Sequence, residues 1–89
     1  MLEYADFYDI AEYGNKNWRG SFTEKEIACN AYEYYEAYKA SIKANKCTNI
    51  INGLLYLLKS DLRYIKNYNP NDPDREQIEY WISELTKGE

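Results

Sequence analysis

The stretch from Ile50 to Ile65 most constrains the fold, because its apolar residues recur at helical spacing and cover a wide arc. The arc consists of Ile50, Ile51, Leu54, Leu55, Leu57, Leu58, Leu62 and Ile65. Such a helix is central to its domain or is shared with another chain. Valine is absent, threonine is scarce, and there are only four glycines and two prolines, which disfavours β-structure. The sequence therefore predicts an all-α fold.

We expect residues 1–89 to form a single helical domain of four helices, since a chain of this length supports one modest core. The first predicted helix is short, runs from about Leu2 to Tyr13 and ends at Gly14; a glycine-bracketed loop follows as far as Phe22. Thr23 and Glu26 form a capping box that starts the second helix, which continues to about Ala44.

The link from Asn45 to Thr48 is short, so the second and third helices are predicted to form a long antiparallel αα-hairpin. The third helix covers about residues 49–67. Asp72 and Pro73 then suit the cap and first position of a C-terminal capping helix, for which Gly88 is the predicted end. The predicted buried stripe of this helix consists of Ile78, Trp81, Ile82 and Leu85. The predicted architecture is a small four-helix domain built on this hairpin.

Four tyrosines occur in the nine residues AYEYYEAYK, from position 31 to position 39. On a helix, Tyr34 and Tyr38 share the apolar side with Ile27 and Ile42, and Tyr35 lies at its margin. We expect these three to form an aromatic core seam. Tyr32 projects off that arc and is a candidate surface contact.

Asp61 breaks the pattern of its surroundings, because it lies within the apolar arc of the third helix. A buried carboxylate needs a hydrogen-bond partner or a place at the edge of the core. We expect a tyrosine hydroxyl, with those of the second helix as candidates, or a basic side chain. A contact to a ligand or partner is the alternative.

Residues typical of catalytic or metal sites are scarce. The chain has no histidine, which excludes nucleophilic triads with a histidine base, and no glycine-rich phosphate loop. Cys29 and Cys47 lack the spacing and partners of a zinc site. Carboxylate pairs such as Asp6 and Asp9 are more typical of a solvated face than of acid–base chemistry. We predict a protein that is not an enzyme and has no catalytic, metal or cofactor site.

Charge is distributed unevenly along the chain, whose net charge is −4. Residues 1–38 hold eight acids and three bases, residues 39–71 one acid and six bases, and residues 72–89 six acids and two bases. Lys59, Arg63 and Lys66 lie on one stripe of the third helix, beside Tyr56. The stripe could bind nucleic-acid phosphates while Tyr56 stacks on a base. The alternative is that these bases face water or complement the acidic first and fourth helices.

The acidic ends suggest a different surface, which includes Asp6, Asp9 and Glu12 of the first helix. Interleaved with tyrosines, these acids are candidate contacts for a protein partner, or an imitation of nucleic-acid phosphates that inhibits a host system. Trp18 and Arg19, in the glycine-bracketed loop, are residue types that anchor interfaces. Such a tryptophan also commonly covers the end of a small core.

Two stretches, FYDIAEYGN at residues 7–15 and SFTEKEIA at residues 21–28, resemble small uncharacterised proteins of prophages and conjugative elements from low-GC Gram-positive bacteria. The resemblance covers the N-terminal half and implies an accessory role, in regulation or interference with a host. The expected function is a non-enzymatic protein-interaction or regulatory module of such an element.

The alternative function is nucleic-acid binding. No apolar run is long enough to span a membrane and no secretory signal is visible, so we expect a cytoplasmic location and no membrane partner. The expected partner is another protein, and the third helix could equally pair with a second copy of the chain as a homodimer.

Overall fold

The computed structural model describes residues 1–19 and 21–87, with the side chains of Trp18 and Arg19 excepted. Its helices are α1 (Tyr4–Gly14), α2 (Glu24–Ala44), α3 (Asn49–Tyr68) and α4 (Asp74–Thr86), and a π-helical turn (Asn15–Arg19) follows α1. The described residues contain no strand. The prediction of a small all-α domain of four helices is thus confirmed, while the predicted end at Gly88 lies outside the described residues.

The predicted loop after Gly14 is wrong for residues 15–19, which continue α1 as a wider helical turn. Asn15 keeps a right-handed helical conformation, with φ −58° and ψ −42°. Its side-chain oxygen accepts a hydrogen bond from the backbone N–H of Phe22 at 2.7 Å. The amide of Asn17 donates to the carbonyl of Tyr13 at 2.9 Å. These two asparagine side chains hold the turn against the backbone on either side of it. Such contacts leave no apolar periodicity in the sequence, so the turn was not predicted.

The capping box predicted for α2 is present. Thr23 accepts from the backbone N–H of Glu26 at 3.3 Å, and the Glu26 carboxylate accepts from the backbone N–H of Thr23 at 3.3 Å. Ile27 is buried in the first turn and Phe22 packs against the same core. Two orphan donors of the helix start are thereby satisfied, which fixes where α2 begins.

The α2–α3 connection turns sharply because Asn45 adopts the left-handed conformation, with φ 56° and ψ 36°. Asparagine tolerates that conformation better than most residues. Ser41, fully buried in α2, donates to the carbonyl of Ala37 at 2.9 Å and accepts from the backbone N–H of Thr48 at 3.0 Å. Thr48 then caps α3 by accepting from the N–H of Ile51. A single buried hydroxyl therefore fixes both ends of the connection.

Helix α1 packs on α2 through aromatic rings. The ring centroid of Phe7 lies 5.2 Å from that of Tyr38 and 6.0 Å from that of Tyr35. Tyr34 and Tyr38 are buried and Tyr35 is half-buried, as the seam interpretation predicted. The hydroxyl of Tyr38 accepts from the backbone N–H of Leu2 at 3.2 Å. Tyr35 and Tyr38 of the tyrosine-rich stretch thus form packing surface for α1.

The second pair of helices is α3 and α4. Leu54, Leu55 and Leu58 from α3 and Ile78 and Leu85 from α4 are buried in the common core. Contacts between α3 and α4, like those between α1 and α2, are more extensive than those between α2 and α3. The domain is therefore two closely packed helix pairs joined by the turn at residues 45–48.

The start of α4 lies close to its predicted position. The Asp72 carboxylate accepts from the backbone N–H of Asp74 at 2.8 Å, and its carbonyl accepts from that of Arg75 at 3.1 Å. Asp72 therefore performs the capping role expected of it, although helical hydrogen bonding is continuous only from Asp74. A difference of one residue at a helix end is ordinary.

Candidate functional site

A concave surface with acidic and aromatic walls lies where α1, the π-helical turn and α4 meet. Its volume is about 330 Å³. We call it the acidic groove; its lining residues are Asp9, Glu12, Tyr13, Lys16, Asn17, Asp74, Gln77 and Trp81. Three carboxylates from two helices distant in sequence therefore converge on one cavity.

Each carboxylate of the acidic groove is placed by local structure. Asp9 and Glu12 are three residues apart on α1, so they project from one side of it, away from the buried Phe7, Ile10 and Ala11. Asp74 lies in the first turn of α4, where the helix dipole favours a negative charge. The groove thus joins the exposed face of one helix to the N-terminal end of another.

The aromatic wall of the groove is formed by Tyr13 and Trp81, whose rings meet edge to face with centroids 5.8 Å apart. Trp81 is 4% exposed, and within residues 1–19 and 21–87 its indole N–H finds no hydrogen-bond acceptor. The sequence predicted Trp81 as core, which the burial confirms. It gave no sign that this residue also lines a cavity.

Tyr13 connects the acidic groove to α3, because its hydroxyl donates a hydrogen bond to the half-buried carboxylate of Asp61. Burial is the main cause that raises the pKa of the Tyr13 phenol, followed by the hydrogen bond and negative charge of Asp61. The prediction of a tyrosine partner for Asp61 is confirmed. This tyrosine belongs to α1, whereas the sequence had offered tyrosines of α2 as candidates.

The predicted partner contacts separate in the structure. Asp9 and Glu12 lie together in the acidic groove, whereas Asp6 accepts from the backbone N–H of Glu3 at 2.8 Å and so caps α1. Tyr32 is 59% exposed on α2, as predicted for a surface residue. The side chains of Trp18 and Arg19 lie outside the described residues. The acids of α1 therefore do not act as one row.

Sequence reasoning missed the other groove residues: Lys16, Asn17, Asp74 and Gln77. Lys16 and Asn17 were assigned to a loop. Asp74 and Gln77 belong to no recognisable sequence motif. The acidic balance of residues 72–89 was the one signal available for Asp74. No sequence pattern brings that C-terminal segment next to α1, because their proximity is set by helix packing alone.

A second concave surface, of about 310 Å³, lies between α3 and α4 and collects the predicted basic stripe. We call it the basic groove; its lining residues are Lys59, Leu62, Arg63, Lys66, Asn67 and Ile82. Tyr56, the predicted stacking residue, is 71% exposed and lies outside this lining. The structure thus adds an apolar floor that the stripe alone did not suggest.

The basic groove is not neutralised by the acidic helices. Across residues 1–19 and 21–87, the side-chain ion pairs join Lys39 to Glu36, Arg75 to Glu79 and Lys87 to Glu84, and none involves Lys59, Arg63 or Lys66. In the described residues these three bases are exposed and form no direct ion pair with α1 or α4. They therefore face solvent and the groove, as one of the alternatives from the sequence expected.

The apolar arc of α3 is only partly covered. Leu54, Leu58 and Ile65 are buried, whereas Ile50 is 40% exposed and Leu57 is half-buried. Farther along that flank the exposed rings of Tyr64 and Tyr68 stack at a centroid distance of 4.8 Å. This flank therefore leaves apolar and aromatic side chains of α3 uncovered by the other helices.

Comparison of the chain with protein-family models, with curated proteins and with solved structures finds no match. Among the helices of the described part, none has both the length and the apolar character required to cross a bilayer. No group of three or more cysteine, aspartate or glutamate side chains in that part is arranged to hold a metal ion.

Proposed function

We propose that this protein is a non-enzymatic binding module whose acidic groove binds a basic segment of a partner protein. The observation that carries the proposal is the convergence of Asp9, Glu12 and Asp74 on one cavity walled by Tyr13 and Trp81. Carboxylates supply charge complementarity, and aromatic rings attract a cation that lies over or beside them. An arginine side chain combines both modes, because its planar guanidinium pairs with carboxylates and stacks on rings.

The acidic groove has the size to bind one or two side chains of a partner rather than a large ligand. A volume of about 330 Å³ lies at the lower end of the range for small-molecule pockets, roughly 300–1,000 Å³. One or two long basic side chains fill such a space. The remaining contact area of a partner would then lie on the flanking surfaces of α1 and α4.

The biological setting is proposed from the sequence. The resemblance of the N-terminal half to proteins of prophages and conjugative elements supports an accessory, cytoplasmic role in such an element. Basic segments are common in nucleic-acid-binding proteins. If the acidic groove occupied such a segment, the partner could no longer use it to bind nucleic acid. In this way the groove would imitate the phosphates of the nucleic acid.

A peptide-binding experiment tests the proposal. Fluorescence polarisation of a labelled arginine-containing peptide should show saturable binding that weakens as salt increases. Replacing Asp9→Asn together with Glu12→Gln should weaken binding about tenfold, since exposed charge pairs contribute up to about 1 kcal/mol each. The control variant Glu33→Gln with Glu76→Gln removes the same charge elsewhere and should change affinity less than about twofold. Equal losses in both variants would refute a defined site.

A further inference from the structure

We propose that the basic groove is a second, independent site that binds an acidic amphipathic helix of a partner protein. Lys59, Arg63 and Lys66 recur at positions i, i+4 and i+7 of α3, so they form a row about 10 Å long. Acidic residues two turns apart on a facing helix match that length. This row of positive charge, together with the apolar floor of the groove, determines which kind of ligand fits.

The floor of the basic groove is apolar. It is formed by Leu62 of α3 and Ile82 of α4, both half-buried against the core. Lysine and arginine extend their apolar stems along such a surface while their charged ends stay in water. The groove therefore offers apolar contact at its centre and positive charge along its α3 side. An amphipathic helix presents the same two features in reverse.

Nucleic acid fits the basic groove less well. The side chains that would meet a base are aliphatic, and Tyr56 does not line the cavity. Aromatic stacking and a longer track of bases are what single-strand binders use. Three bases alone give only weak, strongly salt-dependent phosphate binding.

A second copy of this chain is also a poor occupant. Its acidic helix α1 already buries its apolar side, including Phe7, Ile10 and Ala11. The acids Asp9 and Glu12 of that copy project from the other side and line its own acidic groove. Its α1 cannot offer an apolar stripe and carboxylates together to the floor and rim of the basic groove. The other acidic helix, α4, likewise buries its apolar stripe of Ile78, Trp81 and Leu85, so the occupant is a helix of another protein.

The two grooves flank the same helix. Trp81 lines the acidic groove and Ile82 the basic groove, and neighbouring residues of a helix point about 100° apart. Ile78 and Leu85 form the buried stripe of α4, which faces the core. Ligands of opposite charge can thus occupy separate grooves, and this second site does not depend on the proposed function of the first.

Direct binding measurements test the inference. The probe is a synthetic helical peptide with leucines on one face and glutamates along its border, labelled for fluorescence polarisation. We expect saturable micromolar binding, weakened at least about tenfold by Lys59→Glu with Arg63→Glu. The control variant, Lys25→Glu with Lys46→Glu, makes the same charge change at exposed positions outside the groove and should keep the wild-type affinity within about twofold.

A second probe examines the apolar floor without altering the protein. A peptide in which serine replaces the leucines keeps its charge and should lose most of its affinity. Equal affinity of the two peptides would overturn the amphipathic ligand class. Stronger binding of a short duplex or single-stranded DNA, lost in the Lys59→Glu and Arg63→Glu variant, would instead make the groove a nucleic-acid site. Absence of peptide binding, or equal losses in the groove and control variants, would also overturn the inference.

The same variants keep the two sites distinguishable. Reversing charge at Lys59 and Arg63 should leave binding of the arginine peptide to the acidic groove intact. Neutralising Asp9 and Glu12 should likewise leave the acidic peptide bound. Each site can therefore fail without the other, and thermal unfolding of every variant checks that the fold persists.

Discussion

The hydrogen bond from Tyr13 to Asp61 should contribute measurably to stability, because it joins α1 to α3 at the edge of the core. Tyr13→Phe removes the hydroxyl and keeps the ring that packs on Trp81 at 5.8 Å. Hydrogen bonds to charged groups contribute about 1.5–3 kcal/mol. Both partners are only half-buried, so solvent screening reduces that range, and we expect a loss of about 1 kcal/mol.

A double-mutant cycle isolates this interaction. Asp61→Ala alone removes the acceptor and should cost about 1 kcal/mol, as Tyr13→Phe does. The double variant should be more stable than additivity predicts, by about 0.5–1 kcal/mol. The matched control is Tyr32→Phe, which removes a hydroxyl from an exposed ring and should lie within about 0.5 kcal/mol of the wild type.

Urea denaturation followed by far-UV circular dichroism measures these differences, and thermal unfolding provides a second readout. In a domain of this size, 1 kcal/mol corresponds to a change of about 4–8 °C in Tm. Additive effects of Tyr13→Phe and Asp61→Ala would refute the coupling. A Tyr13→Phe variant as stable as the Tyr32→Phe control would refute the contribution altogether.

The same bond predicts a pH dependence. The folded-state pKa of Tyr13 is raised above its ordinary value of 10.0, so folding favours the protonated phenol. Its contribution to the free energy of unfolding is complete below pH 10 and is lost as the pH rises through the raised folded-state pKa. The stability difference between wild type and Tyr13→Phe should therefore be constant from neutral pH to about pH 9 and shrink above pH 10. A difference that grows above pH 10 would contradict this reasoning.

Two further predictions concern the core and the central turn. Phe7→Ala should lower the free energy of unfolding by about 3–5 kcal/mol, because Phe7 is fully buried and packs on two tyrosines of α2; a loss below about 1 kcal/mol in urea denaturation would contradict the packing. Ser41→Ala should cost about 1 kcal/mol, because it leaves the part-buried N–H of Thr48 without its acceptor; hydrogen exchange at that amide should accelerate, and unchanged protection would refute the role of the hydroxyl.

Local chemistry made much of the fold predictable. The capping box of Thr23 and Glu26, the short link from Asn45 to Thr48 and the cap at Asp72 act over a few residues. Signals of this kind appear in the sequence because the interacting groups are close along the chain. The apolar periodicity of α2 also identified Tyr34 and Tyr38 as buried and Tyr32 as exposed.

The π-helical turn at residues 15–19 shows where local reasoning failed. It lacks apolar periodicity, so it resembles a loop in sequence, and asparagine side chains rather than a buried stripe hold it in place. Its wider turn carries Lys16 and Asn17 into the acidic groove. A pattern based on hydrophobicity cannot detect a helix turn stabilised by polar contacts.

By itself the sequence determined four helices, the caps of α2 and α4, the buried faces of these two helices and the basic stripe of α3. Only the tertiary structure decided that Tyr13 is the partner of Asp61, that Asp74 joins Asp9 and Glu12, and that Ile82 lies beneath Lys59, Arg63 and Lys66. The physical reason is distance along the chain. Periodicity shows which face of a helix is apolar. Which other helix that face contacts depends on how all four helices pack together.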